Sequence, residues 1–166
     1  MREFAKGQFT LRQAPRALRL IYAGFLFLTA LGLLSQLGFQ VGRIGLSPQA
    51  IARYYRGDDT GAVMAFPKTF GQLLEVTHAH TFMMAVVFLV LAHLFAATDV
   101  ADIVKSIVLA ASFTGLLGDL AAPWLIRYVA ARCAWIALVS WMFQWAGLAA
   151  LIGMSGWECL GRRHPR

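Results

Sequence analysis

The sequence predicts an all-α integral membrane protein, a four-transmembrane-helix bundle with a short interfacial helix in its outer loop. Three observations predict it. The 166 residues are 59% hydrophobic and only 14% charged, where a soluble domain carries about a quarter charged residues. The charges are segregated, leaving four apolar runs near the roughly 20 residues that span a hydrocarbon core. The basic residues flank the first and last of these runs, Arg2, Lys6, Arg12, Arg16 and Arg19 before and Arg162, Arg163 and Arg166 after.

That flanking pattern accounts for the net charge of +7 without nucleic-acid binding. It is a positive-inside signature, which places both termini in the cytoplasm of a bacterial-type inner membrane and requires an even number of spans. Some of these arginines are suited to anionic lipid headgroups. The first apolar run is too long for a signal-peptide core and ends at no small-residue cleavage site, so it is expected to remain as a span.

The chain reads as one membrane domain, residues 1–166. Residues 1–16 are a basic arm with scattered Phe4, Phe9 and Leu11. Span one covers residues 17–39, with Gly24 and Gly32 permitting close helix approach and Ser35, Gln36 and Gln40 at its outer end. The outer loop covers residues 40–68. Within it Ser47-Pro48 marks an N-cap followed by proline at the first helical position, and Gly57 marks a stop, predicting a helix over residues 48–56. Asp58 and Asp59 follow as a weak candidate for a cation.

Thr69-Phe-Gly-Gln72 fits a capping box, so the helix of span two starts there and crosses the membrane over residues 76–97. At 1.5 Å per residue it is about 42 Å long, and its first turns project beyond a hydrocarbon layer of about 30 Å. Asp99 is the expected N-cap of span three, residues 101–120, which Pro123 should end. Span four covers residues 133–155. If the last helix continues far enough to carry both, Cys133 and Cys159 lie about 39 Å apart, too far for a disulfide.

Span two carries the chemistry. Three of the chain's four histidines, His78, His80 and His93, sit on it beside Glu75, and ionisable groups at membrane depth are functional candidates. At 100° per residue His78 and His80 point to nearly opposite sides. Glu75 and His78 share a face as i, i+3 neighbours, with Gln72, Phe82, Val86, Leu89 and His93 following it, and this polar stripe is the one expected to face the bundle. On span three Lys105, Val108, Ser112, Gly115 and Asp119 align, and on span four Cys133, Ala137, Ser140, Gln144 and Gly147, both small and polar as interior faces are.

Two ligand sets follow. Glu75, His78 and Asp119 converge at similar depth and are chemically suited to one transition-metal ion, whose identity they do not select. His78 and His93, about 22 Å apart along the helix, have the spacing of haems in opposite leaflets, and His80 is a third candidate for haem b. The His80-x-x-x-Met84 segment resembles five residues of the haem-ligating helix of haem–copper oxidase catalytic subunits, without their copper ligands, and no function is carried over. Because one helix offers one histidine per depth, bis-histidine ligation needs a homo-oligomer or a partner membrane subunit. The function these features favour is an electron-transfer or other redox role built on the second span. The alternatives are a non-catalytic accessory or assembly subunit and a component of a small proton-coupled transporter. No P-loop, G-x-S-x-G or H-E-x-x-H motif points to an enzyme.

Overall fold

The structure, a computed structural model, describes residues 10–58 and 65–161. Arg2, Phe4, Lys6, Phe9, Arg162, Arg163, Arg166 and Asp59 lie outside the described residues. Five α-helices follow in order: α1 (Arg16–Phe39), α2 (Pro48–Arg56), α3 (Phe70–Ala96), α4 (Asp102–Tyr128) and α5 (Ala134–Leu160). A π-helical turn, Gln40–Ile44, prolongs α1, and a 3-10 turn, Ala131–Cys133, leads into α5. No strand occurs among the described residues, where Asp58 and Ala65 exchange a single antiparallel bridge.

All of these helices except α2 are long and apolar enough to cross a membrane. Their outer surfaces carry exposed large apolar side chains, among them Leu20, Phe27, Phe82, Val86, Ile103, Leu117 and Met142. In water such a surface would be a large unburied patch; against lipid it is the expected one. The protein is therefore a multi-pass membrane protein in contact with a bilayer.

The sequence signals for α2 and α3 act as expected. Ser47 accepts from the Ala50 amide, and Gly57 ends α2 at φ 84°, a value glycine reaches without penalty. Ile51, fully buried, anchors α2 to Ile44, Ala122, Ile126 and Ala134. The capping box forms in both directions, Thr69 Oγ1 accepting from the Gln72 amide at 3.2 Å and Gln72 Oε1 from the Thr69 amide at 3.0 Å. Thr69→Ala should cost about 1 kcal/mol at that helix end. The expected result is several-fold faster amide exchange at Gln72 and Leu73, with unchanged protection at Leu91.

Three boundaries differ from expectation. Pro123 does not end the third span; α4 runs through it to Tyr128. Proline removes one hydrogen bond but does not forbid a helix whose flanks are packed, and Ala122 and Ile126 beside it are both fully buried. Asp99 is not the N-cap of α4, a place taken by Ala101 without a side-chain bond. The Asp99 amide instead donates to Glu158 Oε1 at 2.7 Å, and its carboxylate lies 3.9 Å from Arg12. The last span is also longer than expected, because α5 continues through Trp157 to Leu160.

At the end of the bundle where α5 stops, residues 10–15, just before α1, are docked against the helices. Leu11 is buried and its amide donates to the Ala97 carbonyl at 3.0 Å. Arg19 donates to the Cys159 and Gly161 carbonyls, supplying partners to the C-terminus of α5. Cys133 and Cys159 are both free thiols.

The tightest seam joins α4 to α5, along the two small-residue stripes read from the sequence. A Cβ at Gly115 would stand 2.6 Å from the Gln144 backbone nitrogen, and one at Gly147 would collide with Ser112 Oγ. Helix α1 is held more loosely, chiefly along α5, with Leu26 its only buried residue among those described.

Candidate functional site

The face that α3 turns to the bundle is not the one its polar residues suggested. Leu73, Leu91 and Phe95 are buried, and Thr77, His80, Met84 and Val87 between them are partly buried. Gln72, Glu75, His78, Phe82, Val86, Leu89 and His93 are all exposed. The polar stripe was expected inward because charge is costly in hydrocarbon. Glu75 and His78, however, stand within the first turns of α3, close enough to the membrane boundary for their polar ends to reach headgroups or water. His93, near the other end, satisfies one nitrogen on its own helix, Nδ1 lying 2.8 Å from the Leu89 carbonyl.

The inward histidine is His80. Its Nε2 lies 3.3 Å from Asp119 Oδ2, with the two side chains 29% and 16% exposed. That nitrogen is buried yet makes no aligned hydrogen bond. The other oxygen of Asp119 is fully engaged, Oδ1 accepting from Trp141 Nε1 at 2.8 Å. Asp119 thus joins α3, α4 and α5 at one point, and the expected approach of Glu75 and His78 to Asp119 is replaced by that of His80. The His78 ring instead packs edge-on against Phe82 at 5.0 Å.

Around this pair lies a chamber of about 370 Å³. Its polar lining includes Gln36, Gln40, Tyr55, Glu75, His80 and Asp119, with Lys68 and Trp141 also on its wall. Several of these are placed by local devices. The π-helical turn swings Gln40 inward, where it is 2% exposed and accepts from Trp145 Nε1 at 3.0 Å; such turns recur at functional sites. Helix α2 lays Tyr54 and Tyr55 across the chamber, and Arg56 fixes that helix by donating to the Ile126 and Arg127 carbonyls at the end of α4. Lys68 stands over the Tyr54 ring at 4.4 Å. Burial first, then the charges of Asp119 and Tyr54, push the Tyr55 hydroxyl above its ordinary range, so it stays a neutral donor. Beside the chamber Trp124 Nε1 donates to Thr77 Oγ1 at 2.8 Å.

Among the described residues, no three His, Cys, Asp or Glu side chains gather in the arrangement of a metal site. Asp58, one half of the loop carboxylate pair, lies 3.5 Å from Arg53. Sequence reasoning missed Trp141 and Tyr55 as members of the site. Tyr55 lies on the short helix of the outer loop, and Trp141 is not part of the small-residue stripe of α5, although it is 5% exposed. The one signal available was Asp119, an acid at membrane depth that needs a donor.

A protein-family model described as a transmembrane helical domain matches residues 45–166. The match runs from the turn before α2 through α5 and takes in Tyr55, His80, Asp119 and Trp141. No curated protein and no solved structure matches the chain.

Proposed function

Because the chain belongs to this family of transmembrane helical domains, it works within a bilayer, and we propose that it is a small redox subunit holding a redox-active group in the chamber at His80 and Asp119. One observation carries the reading: a histidine nitrogen and a carboxylate oxygen face each other at 3.3 Å within the spanning helices. Ionisable pairs at such depth are rare and mark ligand, ion or proton sites. The nitrogen is buried without an aligned partner, which leaves it able to meet an incoming group.

The same spacing suits two ligands of one transition-metal ion, since donors at bond lengths of about 2.1 Å stand roughly 3 Å apart. A metal held there would take His80 and Asp119 as its protein donors, in place of the set containing His78, with its remaining donors coming from a bound ligand. We place the protein in a bacterial-type plasma membrane with its basic ends cytoplasmic and the chamber on the outer side.

A second reading rests on the exposed face of α3. A carbonyl only accepts, so the contact of His93 Nδ1 with Leu89 puts the proton on Nδ1 and leaves Nε2 free outward, the tautomer of a metal-bound histidine. His78 lies on the same exposed face. Haem b would then be shared between two copies, each contributing one axial histidine per leaflet.

The test is to purify the protein in mild detergent and record oxidised and dithionite-reduced spectra, with metal analysis and solvent extraction of the same sample. Stoichiometric redox-active material that falls more than tenfold in His80→Ala and persists in His78→Ala is the expected result. Loss in His78→Ala or His93→Ala alone moves the site to the exposed face. Absence of any such material from the wild-type protein overturns the redox function and leaves an accessory subunit, to be defined by what co-purifies with it.

A further inference from the structure

A second cavity, of about 620 Å³, lies between α1, α3 and α5. Its walls are largely apolar, with Phe25, Leu28, Leu33, Met84, Leu148 and Ile152 among them. Gln36, Val76 and His80 line both this groove and the polar chamber, so the two adjoin at these residues, polar on one side and apolar on the other. The groove flanks α1, the loosely held helix, where no atom lies within 4 Å of a Cβ built at Gly32. Leu28 and Met83, on its walls, are exposed, which opens the groove to the hydrocarbon layer.

A cleft of this form fits an amphipathic molecule that enters from the bilayer, head in the chamber and tail in the groove. Charge selects the head. Two carboxylates, Glu75 and Asp119, line the chamber against one lysine, whose ammonium stands over Tyr54. An anionic phospholipid headgroup would meet like charge there, whereas a neutral ring bearing oxygens would meet donors and acceptors on several sides. We infer that the occupant is a lipid-soluble quinone or quinol, its ring beside His80 and Asp119 and its hydrocarbon tail along α1. A quinone oxygen accepts from the Tyr55 hydroxyl or from a protonated His80 Nε2, and a quinol hydroxyl donates to Asp119 Oδ2. The inference rests on the chamber being a redox-ligand site, and names its ligand class.

The test is a titration of delipidated, detergent-solubilised protein with decylubiquinone, followed by quenching of tryptophan fluorescence, to which Trp141 and Trp145 on the cavity walls contribute. Saturable quenching is expected, unaffected by an excess of short-chain phosphatidylglycerol. Gly32→Leu adds a side chain on the groove wall whose Cβ is clear of any neighbour. It should weaken decylubiquinone at least tenfold while leaving the tail-less ring analogue unchanged, whereas His80→Ala should weaken both. Each variant's helical content and thermal midpoint report that it is folded. Equal affinity in wild type, Gly32→Leu and His80→Ala overturns the inference, as does competition by phosphatidylglycerol. A His80-dependent haem or metal without saturable quinone binding overturns the quinone and leaves the redox site standing. Absence of both removes both.

Discussion

Replacing Gly147 by leucine is expected to unseat α5 from α4 and to produce the largest loss of stability of any single change considered. A Cβ at that position would collide with Ser112 Oγ and stand 2.8 Å from Ser112 Cβ and 3.0 Å from its Cα. Rotation of the serine relieves only the first of these, and gives up its bond to the Val108 carbonyl at 2.7 Å. The remaining contacts require the helix backbones to separate. Overpacking commonly costs about 1–3 kcal/mol, and here the strain falls on the seam that also carries Gly115 and Ser140, so the upper end of that range is expected. Gly153→Leu, on the same helix with nothing within 4 Å of its Cβ, is the control and should stay within about 0.5 kcal/mol. Thermal midpoints in one detergent decide the matter. Gly147→Ala combined with Ser112→Gly should recover most of what Gly147→Ala alone loses. Equal midpoints for Gly147→Leu and Gly153→Leu would show that the seam is not close-packed.

Those stripes on α4 and α5 could be read from sequence because small and polar residues there stand out against Leu, Ile and Phe at a regular helical interval. The ends of α2 and α3 were readable for a different reason: Ser47, Gly57, Thr69 and Gln72 act through atoms within a few residues of themselves. The inward face of α3 was not readable. The helix is apolar nearly all round, so no amphipathic contrast marks the core, and the polar residues expected to mark it lie toward its ends, where they need no burial. His80 shares its partly buried side with Thr77 and Met84. What makes it the site residue is Asp119 at 3.3 Å, a contact between residues 39 positions apart that depends on how two helices are stacked. The π-helical turn that brings Gln40 inward likewise leaves no mark in the local sequence. Pro123 misled because a rule about helix ends in isolation does not hold where the flanking residues are packed on both sides.

The second large effect expected is at Asp119, where one carboxylate serves two helices. Its Oδ1 accepts a hydrogen bond from the indole N–H of Trp141, a side chain 5% exposed, and its Oδ2 faces His80. Asp119→Ala removes both at once. The indole N–H is left buried with no partner, and such an orphan costs about 1–3 kcal/mol. Asp119→Asn keeps an oxygen for the indole but removes the charge facing His80. It should retain most of the stability and lose the proposed quinone binding, separating the structural role of the carboxylate from the proposed one. A double-mutant cycle with Trp141→Phe isolates the first half. Hydrogen bonds to charged groups contribute about 1.5–3 kcal/mol, so Asp119→Ala and Trp141→Phe together should cost roughly 2 kcal/mol less than the sum of the two alone. Strictly additive costs would mean that the indole and the carboxylate do not share a bond, and α5 would then have no part in holding Asp119 toward His80. Coupling in that range, joined to ligand loss in Asp119→Asn at near-native stability, would make α5 the element that orients the site and α3 the element that supplies it.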